Sequence, residues 1–199
     1  MNHAVIRRIL GLILLFESAF LLLPCMVAVI YREKQGLSYL AVAFICLVIG
    51  FLLTRRKNEN QMFYAKEGFV IVALSWIVMS FFGAMPYYLS GDIPDVSQAL
   101  FEAVSGFTTT GASTLSSVEV LSHCTLVWRA FTIWIGGMGV IVFLLAVLPL
   151  TGGYNMHLMR AESPGPSVGK LVPKVRETAK ILYLIYICLL YTSDAADEL

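Results

Sequence analysis

Four stretches of this sequence stay apolar over lengths that a bilayer dictates: residues 4–31, 37–53, 69–89 and 126–150. A helix crossing the hydrocarbon core needs roughly 20 mainly apolar residues, and its backbone polar groups must be satisfied within the segment. A fifth run, 179–191, stops short of that length. Hydrophobic residues make up 58% of the chain, and the 14% that are charged fall in clusters rather than along one face of each run. The expected class is therefore an all-α integral membrane protein. The runs are too continuously apolar for the alternating strands of a membrane barrel. A net charge of +1 gives no footing for nucleic acid.

Arg7 and Arg8 before the first run imitate a signal peptide. The run continues to about residue 30 with no small-residue cleavage site, so it reads as a retained first span. Pro24 predicts a kink in it, and Glu17 is an intramembrane acid that faces either an interface or a neighbouring helix. Arg55, Arg56, Lys57 and Lys66 crowd the loop after the second run. Arg160, Lys170, Lys174, Arg176 and Lys180 follow the fourth. The opposite side holds Arg32, Lys34 and Arg129 with Asp92, Asp95 and Glu119. The positive-inside rule then puts the N-terminus of this multi-pass chain in the cytoplasm. Cys25, Cys46, Cys124 and Cys188 form no metal-type spacing, and His3, His123 and His157 are scattered. Ordinary buried thiols are expected, with no disulfide framework and no metal centre.

Two other segments carry weaker signals. Gly165–Leu171 resembles a phosphate loop but is one residue short, with Leu171 where a Ser or Thr would hold magnesium, so nucleotide binding is not expected there. Its basic residues suit the membrane surface and anionic lipid. Nothing in the chain assembles an enzyme's nucleophile and base at shared depth. The tail from residue 192 carries three acids, Asp194, Asp197 and Glu198, and breaks the fifth run; residues 192–199 read as an artefactual tail joined to an incomplete frame.

The informative segment lies between the third and fourth runs. In SGDIPDVSQALFEAVSGF, Asp92 is expected to cap a short helix, with Pro94 in its first turn and Asp95 complementing the dipole. Val96, Leu100, Phe101 and Val104 would form its apolar face. About 14 residues at 1.5 Å each reach about 21 Å, too short to span but suited to a re-entrant half-helix. Gly106 would permit a turn, and Thr108, Thr109, Thr110, Gly111 and Ala112 follow. Non-helical backbone at membrane depth is tolerated where it lines a water path or is buried in protein. An extended strand of such residues could point carbonyls at a cation, with Gly111 supplying the needed backbone freedom. A Ser/Thr-rich outer loop without an ion role is the alternative.

FEAVSGFTTTGAS and, after it, WRAFTIWIGGMGVIVFLLAVLP resemble the first pore loop and the following helix of the Trk/Ktr/HKT superfamily of potassium transporters, most closely its bacterial Trk branch. The resemblance covers roughly residues 1–191. It implies a tandem of four helix–pore loop–helix repeats around one pore, preceded by two extra helices. Residues 1–66 then hold the two leading helices and a cytoplasmic loop, and 67–152 the first repeat. Residues 153–178 form a second cytoplasmic loop, and 179–191 the start of the second repeat. The implied function is potassium uptake across the bacterial inner membrane, with K+ as the transported ion and no organic cofactor. The implied filter residues are Thr109, Thr110, Gly111 and Ala112, with Thr108 at the helix junction. The implied partners are membrane lipid, a second copy in a homodimer and a cytoplasmic nucleotide-binding regulatory subunit of TrkA type. One filter segment stands where a pore needs four, so this chain alone is not expected to conduct.

Buried charge must be paired, so Glu102 on the half-helix and Arg129 at the start of the fourth run are expected to pair behind the filter and support it. Gly136, Gly137 and Gly139 suit close helix packing, or a hinge. The alternative for the whole chain is a non-conducting membrane scaffold or assembly subunit whose polar loop only packs.

Overall fold

The computed structural model describes residues 3–55, 65–118, 120–139, 181–182 and 184–188. Among them every regular element is a helix: α1 His3–Tyr31, α2 Gly36–Thr54, α3 Ala65–Ser90, α4 Val96–Phe107 and α5 His123–Met138. Among the described residues three segments are long and apolar enough to cross a membrane, His3–Tyr31, Gly36–Thr54 and Gly68–Ser90. They fall on the first three runs expected from hydropathy.

α1 and α2 form an antiparallel hairpin. α1 ends with Arg32 in the left-handed region, φ 56°. The Arg32 N–H bonds the Val29 carbonyl at 3.3 Å and the Glu33 N–H bonds the Ala28 carbonyl at 2.8 Å. This pair of bonds is a Schellman motif, which satisfies the last carbonyls of a helix. The two helices then cross closely. A Cβ added at Gly50 would lie 2.8 Å from the Gly11 carbonyl oxygen, and one at Gly11 would lie 2.8 Å from Leu53 Cβ. In lipid no hydrophobic force drives helices together, so such small-residue contacts carry the association through close packing. The Ser18 hydroxyl adds a bond to the Ala43 carbonyl at 2.7 Å. α1 runs on as one helix through Pro24.

α5 holds a difference from expectation. The fourth apolar run predicts one helix to residue 150, but α5 ends at Met138 because Gly139 takes φ 76° and ψ 133°. A side-chain-bearing residue rarely adopts that conformation, so this glycine terminates the helix. The rest of that run lies outside the described residues. Gly136 and Gly137 serve packing. Gly136 abuts the Phe107 backbone, and a Cβ at Gly137 would lie 2.7 Å from Tyr186 Cζ on the helical segment 184–188.

Replacing Gly50 by Leu should overpack the α1–α2 crossing and cost about 1–3 kcal/mol. Thermal unfolding of the detergent-solubilised protein checks this; an unchanged transition would contradict the close crossing.

Candidate functional site

α4 is a half-helix of 12 residues lodged between α3 and α5. Its cap is Asp95, not Asp92. Asp95 has extended backbone angles and accepts the Ser97 N–H at 2.8 Å and the Ser97 hydroxyl at 2.6 Å. These bonds hold its carboxyl below the usual range. Pro94 consequently sits outside the helix. Asp92 is used elsewhere: its Oδ2 accepts the Thr125 hydroxyl at 2.5 Å and the Ser122 hydroxyl, tying the α3–α4 connection to the start of α5. Tyr39 of α2 joins this cluster through Thr125 at 2.8 Å.

The buried face of α4 is also not the one its apolar residues suggest. Ala99, Glu102, Ala103, Ser105, Gly106 and Phe107 are buried, whereas Val96, Leu100, Phe101 and Val104 are exposed. The reason is proximity. Gly106 abuts Thr132 of α5, and a Cβ at Gly83 of α3 would lie 2.6 Å from the Phe107 ring. Small residues face the neighbouring helices, and the larger ones are left on the open side. Phe107 also meets Trp128 edge-on at 6.3 Å between ring centroids, and the Trp128 indole N–H bonds the Gly83 carbonyl at 3.0 Å.

The turn expected at Gly106 occurs at Thr108–Thr109. The Thr108 N–H and hydroxyl both bond the Val104 carbonyl, at 2.9 and 2.7 Å. The Thr109 N–H bonds the Gly106 carbonyl and the Thr110 N–H the Ser105 carbonyl, each at 3.0 Å. This is again a Schellman ending, but with Thr109 at the left-handed position, φ 55°. A β-branched residue there is strained by about 1–3 kcal/mol and persists only where the surroundings over-determine it. The hydrogen bonds just named do so. Gly111 is likewise at positive φ, 71°, while Thr110 between them is not.

From Thr108 to Thr114 the chain is exposed and irregular. Among the described residues, the carbonyls of Thr109, Thr110 and Gly111 accept no hydrogen bond. The Ala112 carbonyl accepts the Ser105 hydroxyl at 2.5 Å, which leaves it one lone pair. An added Cβ at Gly111 would meet nothing within 4 Å. The demand for glycine at 111 therefore comes from backbone angle, not from crowding within this chain.

Behind this strand lies Glu102, 1% exposed. Its Oε1 accepts the Ser113 hydroxyl at 2.6 Å and the Thr114 N–H at 2.8 Å. Its Oε2 meets Arg129 Nε at 3.0 Å. The Arg129 side chain is 21% exposed. The structure thus brings Glu102 and Arg129 together and adds Ser113 and Thr114, which sequence reasoning missed because their partner lies eleven and twelve residues back.

A second carboxylate was also missed. Glu33, in the α1–α2 connection, accepts the backbone N–H groups of His123 and Cys124 at 2.8 and 3.0 Å, and meets His123 Nδ1 at 2.8 Å. It caps the N-terminus of α5 from ninety residues away, where positive helix charge favours an anion. Tyr31 stacks on the His123 ring at 4.1 Å. Desolvation raises the Glu33 carboxyl, but these bonds outweigh it and hold it at about 2. A signal existed only in composition: an acid in the short connection between two apolar runs.

Fold and site together define a helical membrane protein that lodges a half-helix and an irregular strand between longer helices. A sequence model of the TrkH family, described as cation transport protein, matches residues 37–191. The chain belongs to the TrkH family, a family of transporters and not of enzymes. It is 41% identical over 194 residues to the Trk system potassium uptake protein TrkH of Escherichia coli K12, covering 95% of this chain and 40% of that protein. It is 35% identical over 186 residues to TrkG of the same organism, covering 92% and 38%. The crystal structure of the potassium transporter TrkH from Vibrio parahaemolyticus aligns with TM-score 0.73 at 33% identity, over 96% of this chain and 38% of that one. The chain spans about 40% of the length of the curated relatives it matches.

Removing one partner of a buried ion pair costs about 3–5 kcal/mol, because the other charge is stranded. Arg129→Gln should therefore lower stability by that order, as read from thermal unfolding; a loss under 1 kcal/mol would contradict a structural role for the pair. The Glu33 cap has a defined pH signature. Its carboxyl is depressed from 4.5 to about 2, so its stabilisation is complete above about 4.5 and is lost as pH falls toward 2. Glu33→Gln should abolish that acid limb of the stability profile, and an unchanged limb would contradict the cap.

Proposed function

We propose that this chain forms the first quarter of a potassium path across the bacterial inner membrane. Dehydrated K+ would pass along the carbonyls of Thr109, Thr110, Gly111 and Ala112, with Thr108 fixing the junction. The observation that carries this reading is the strand itself. Its carbonyls at 109–111 are free of hydrogen bonds among the described residues, on an exposed face, while Glu102 and Arg129 tie the strand from behind. Thr109 and Gly111 take positive φ at alternate positions, an alternation that would let neighbouring carbonyls approach one side. Free carbonyls on a held backbone can replace a cation's hydration shell. The names of the relatives, potassium uptake proteins, supply the ion.

One strand offers only part of a coordination ring. The open row of Val96, Leu100, Phe101 and Val104 beside it is where neighbouring repeats would pack, and the chain alone is not expected to conduct. Residues 67–152 constitute the first helix–loop–helix repeat in this reading, with 140–152 outside the described residues and α1 and α2 as leading helices. The N-terminus and the basic loops face the cytoplasm, following the positive-inside rule. Those loops would meet anionic lipid and a regulatory subunit of TrkA type, and the complete protein would be a homodimer.

In the full-length protein, Gly111→Ala places a side chain on backbone at φ 71° and should distort the strand. The expected outcome is loss of growth rescue in a strain lacking potassium uptake, with the protein still present in the membrane. Full rescue by that variant would favour the scaffold alternative, in which the loop only packs.

A further inference from the structure

We propose that Glu17 is a proton-binding site within the membrane, a carboxyl held neutral and proton-loaded behind the last turn of the half-helix. Glu17 lies midway along α1 and is 2% exposed. Both of its carboxyl oxygens are buried without a hydrogen-bond partner among the described residues. The contrast with Glu102 is instructive. That carboxylate is equally buried, yet it is met by a guanidinium, a hydroxyl and a backbone N–H. An ionised carboxylate with no partner at membrane depth is far costlier than a neutral acid, so the environment of Glu17 selects the protonated form.

Among the described residues, the groups around it offer no counter-charge. From α2, the Cys46 thiol is close enough to interact with Glu17 electrostatically, but it is no cation. The adjacent Ser18 hydroxyl is committed to the Ala43 carbonyl. From α3, Gly83 presents only backbone, and Tyr87, whose hydroxyl is likewise buried without a hydrogen-bond partner among the described residues, carries no positive charge. From α5, Arg129 is committed to Glu102. Tyr39 on α2 bonds Thr125. Arg7, on α1 itself, lies ten residues earlier, about 15 Å along the axis.

Position gives this proton a consequence. A Cβ added at Gly83 would lie 3.5 Å from Glu17 Oε1 and 2.6 Å from the Phe107 ring. Glu17 and Phe107 thus flank the same glycine, and Phe107 is the last residue of α4. The C-terminal end of a helix is already negative. Ionising Glu17 would add negative charge beside that end and disturb its packing. The link to transport rests on the potassium reading above; the protonation itself does not.

Infrared difference spectroscopy on the full-length protein at neutral pH tests the protonation. The carbonyl stretch of a protonated carboxyl should be present in the wild type and lost in E17Q. An identical spectrum in the two would overturn the proposal. Should E17Q fail to assemble, E17M decides: a stable E17M variant fits a neutral acid, whereas assembly with Glu or Asp alone would show that charge is required and overturn it. Potassium uptake measured against pH tests the consequence. Wild-type uptake should fall on the alkaline side and E17Q should lose that fall; the same alkaline limb in both overturns the coupling. A protein that transports no potassium would leave the infrared assignment standing and would count against the potassium reading instead.

Discussion

Everything near the irregular strand depends on one buried carboxylate. Glu102 is excluded from solvent on a half-helix that does not span, and an unpaired charge there would not be tolerated. Its solution is to bind three residues at once: Arg129 on α5, and the Ser113 hydroxyl and Thr114 N–H at the far end of the strand. The strand is therefore fixed at its far end by a charge-assisted bond and at its near end by the Schellman turn of α4. Between those anchors, Thr109 can be held in a conformation that threonine does not favour. The strain is local; the bonds that sustain it are distributed over α4 and α5.

The leading hairpin is part of the same arrangement. Gly11 and Gly50 let α1 and α2 cross closely, and the connection between these helices delivers Glu33 to the first turn of α5. Asp92, from the α3–α4 connection, reaches the same end of α5 through Thr125 and Ser122. Two carboxylates from distant parts of the sequence thus meet the N-terminus of the helix that carries Arg129. Both favour the positive end of a helix dipole, and both tie down the start of the helix whose arginine meets Glu102.

Much of this was legible from residue pattern, and the failures have physical causes. The spans follow from apolar length alone, since a bilayer sets that length. Glu102 and Arg129 could be matched because charge at membrane depth demands a partner. What could not be read was which neighbour each polar group takes. Asp92 and Asp95 are chemically equivalent as caps, and Asp95 won because Asp92 found hydroxyls on α5. Gly106 resembles a turn residue, but Thr132 needs its missing side chain for close approach. Val96, Leu100 and Val104 look like a core-facing stripe; in lipid, small residues make the contacts and large ones face outward. Gly139 ends a run whose hydropathy continues unbroken.

The central claim is that the carbonyls of Thr109, Thr110 and Gly111 form one wall of a potassium path. Anomalous diffraction from crystals of the full-length protein grown with rubidium or thallium ions in place of potassium tests it most directly. The account predicts anomalous density within coordination distance of those carbonyls, on the face opposite Glu102. Density confined to other positions, with none at this strand, would contradict it.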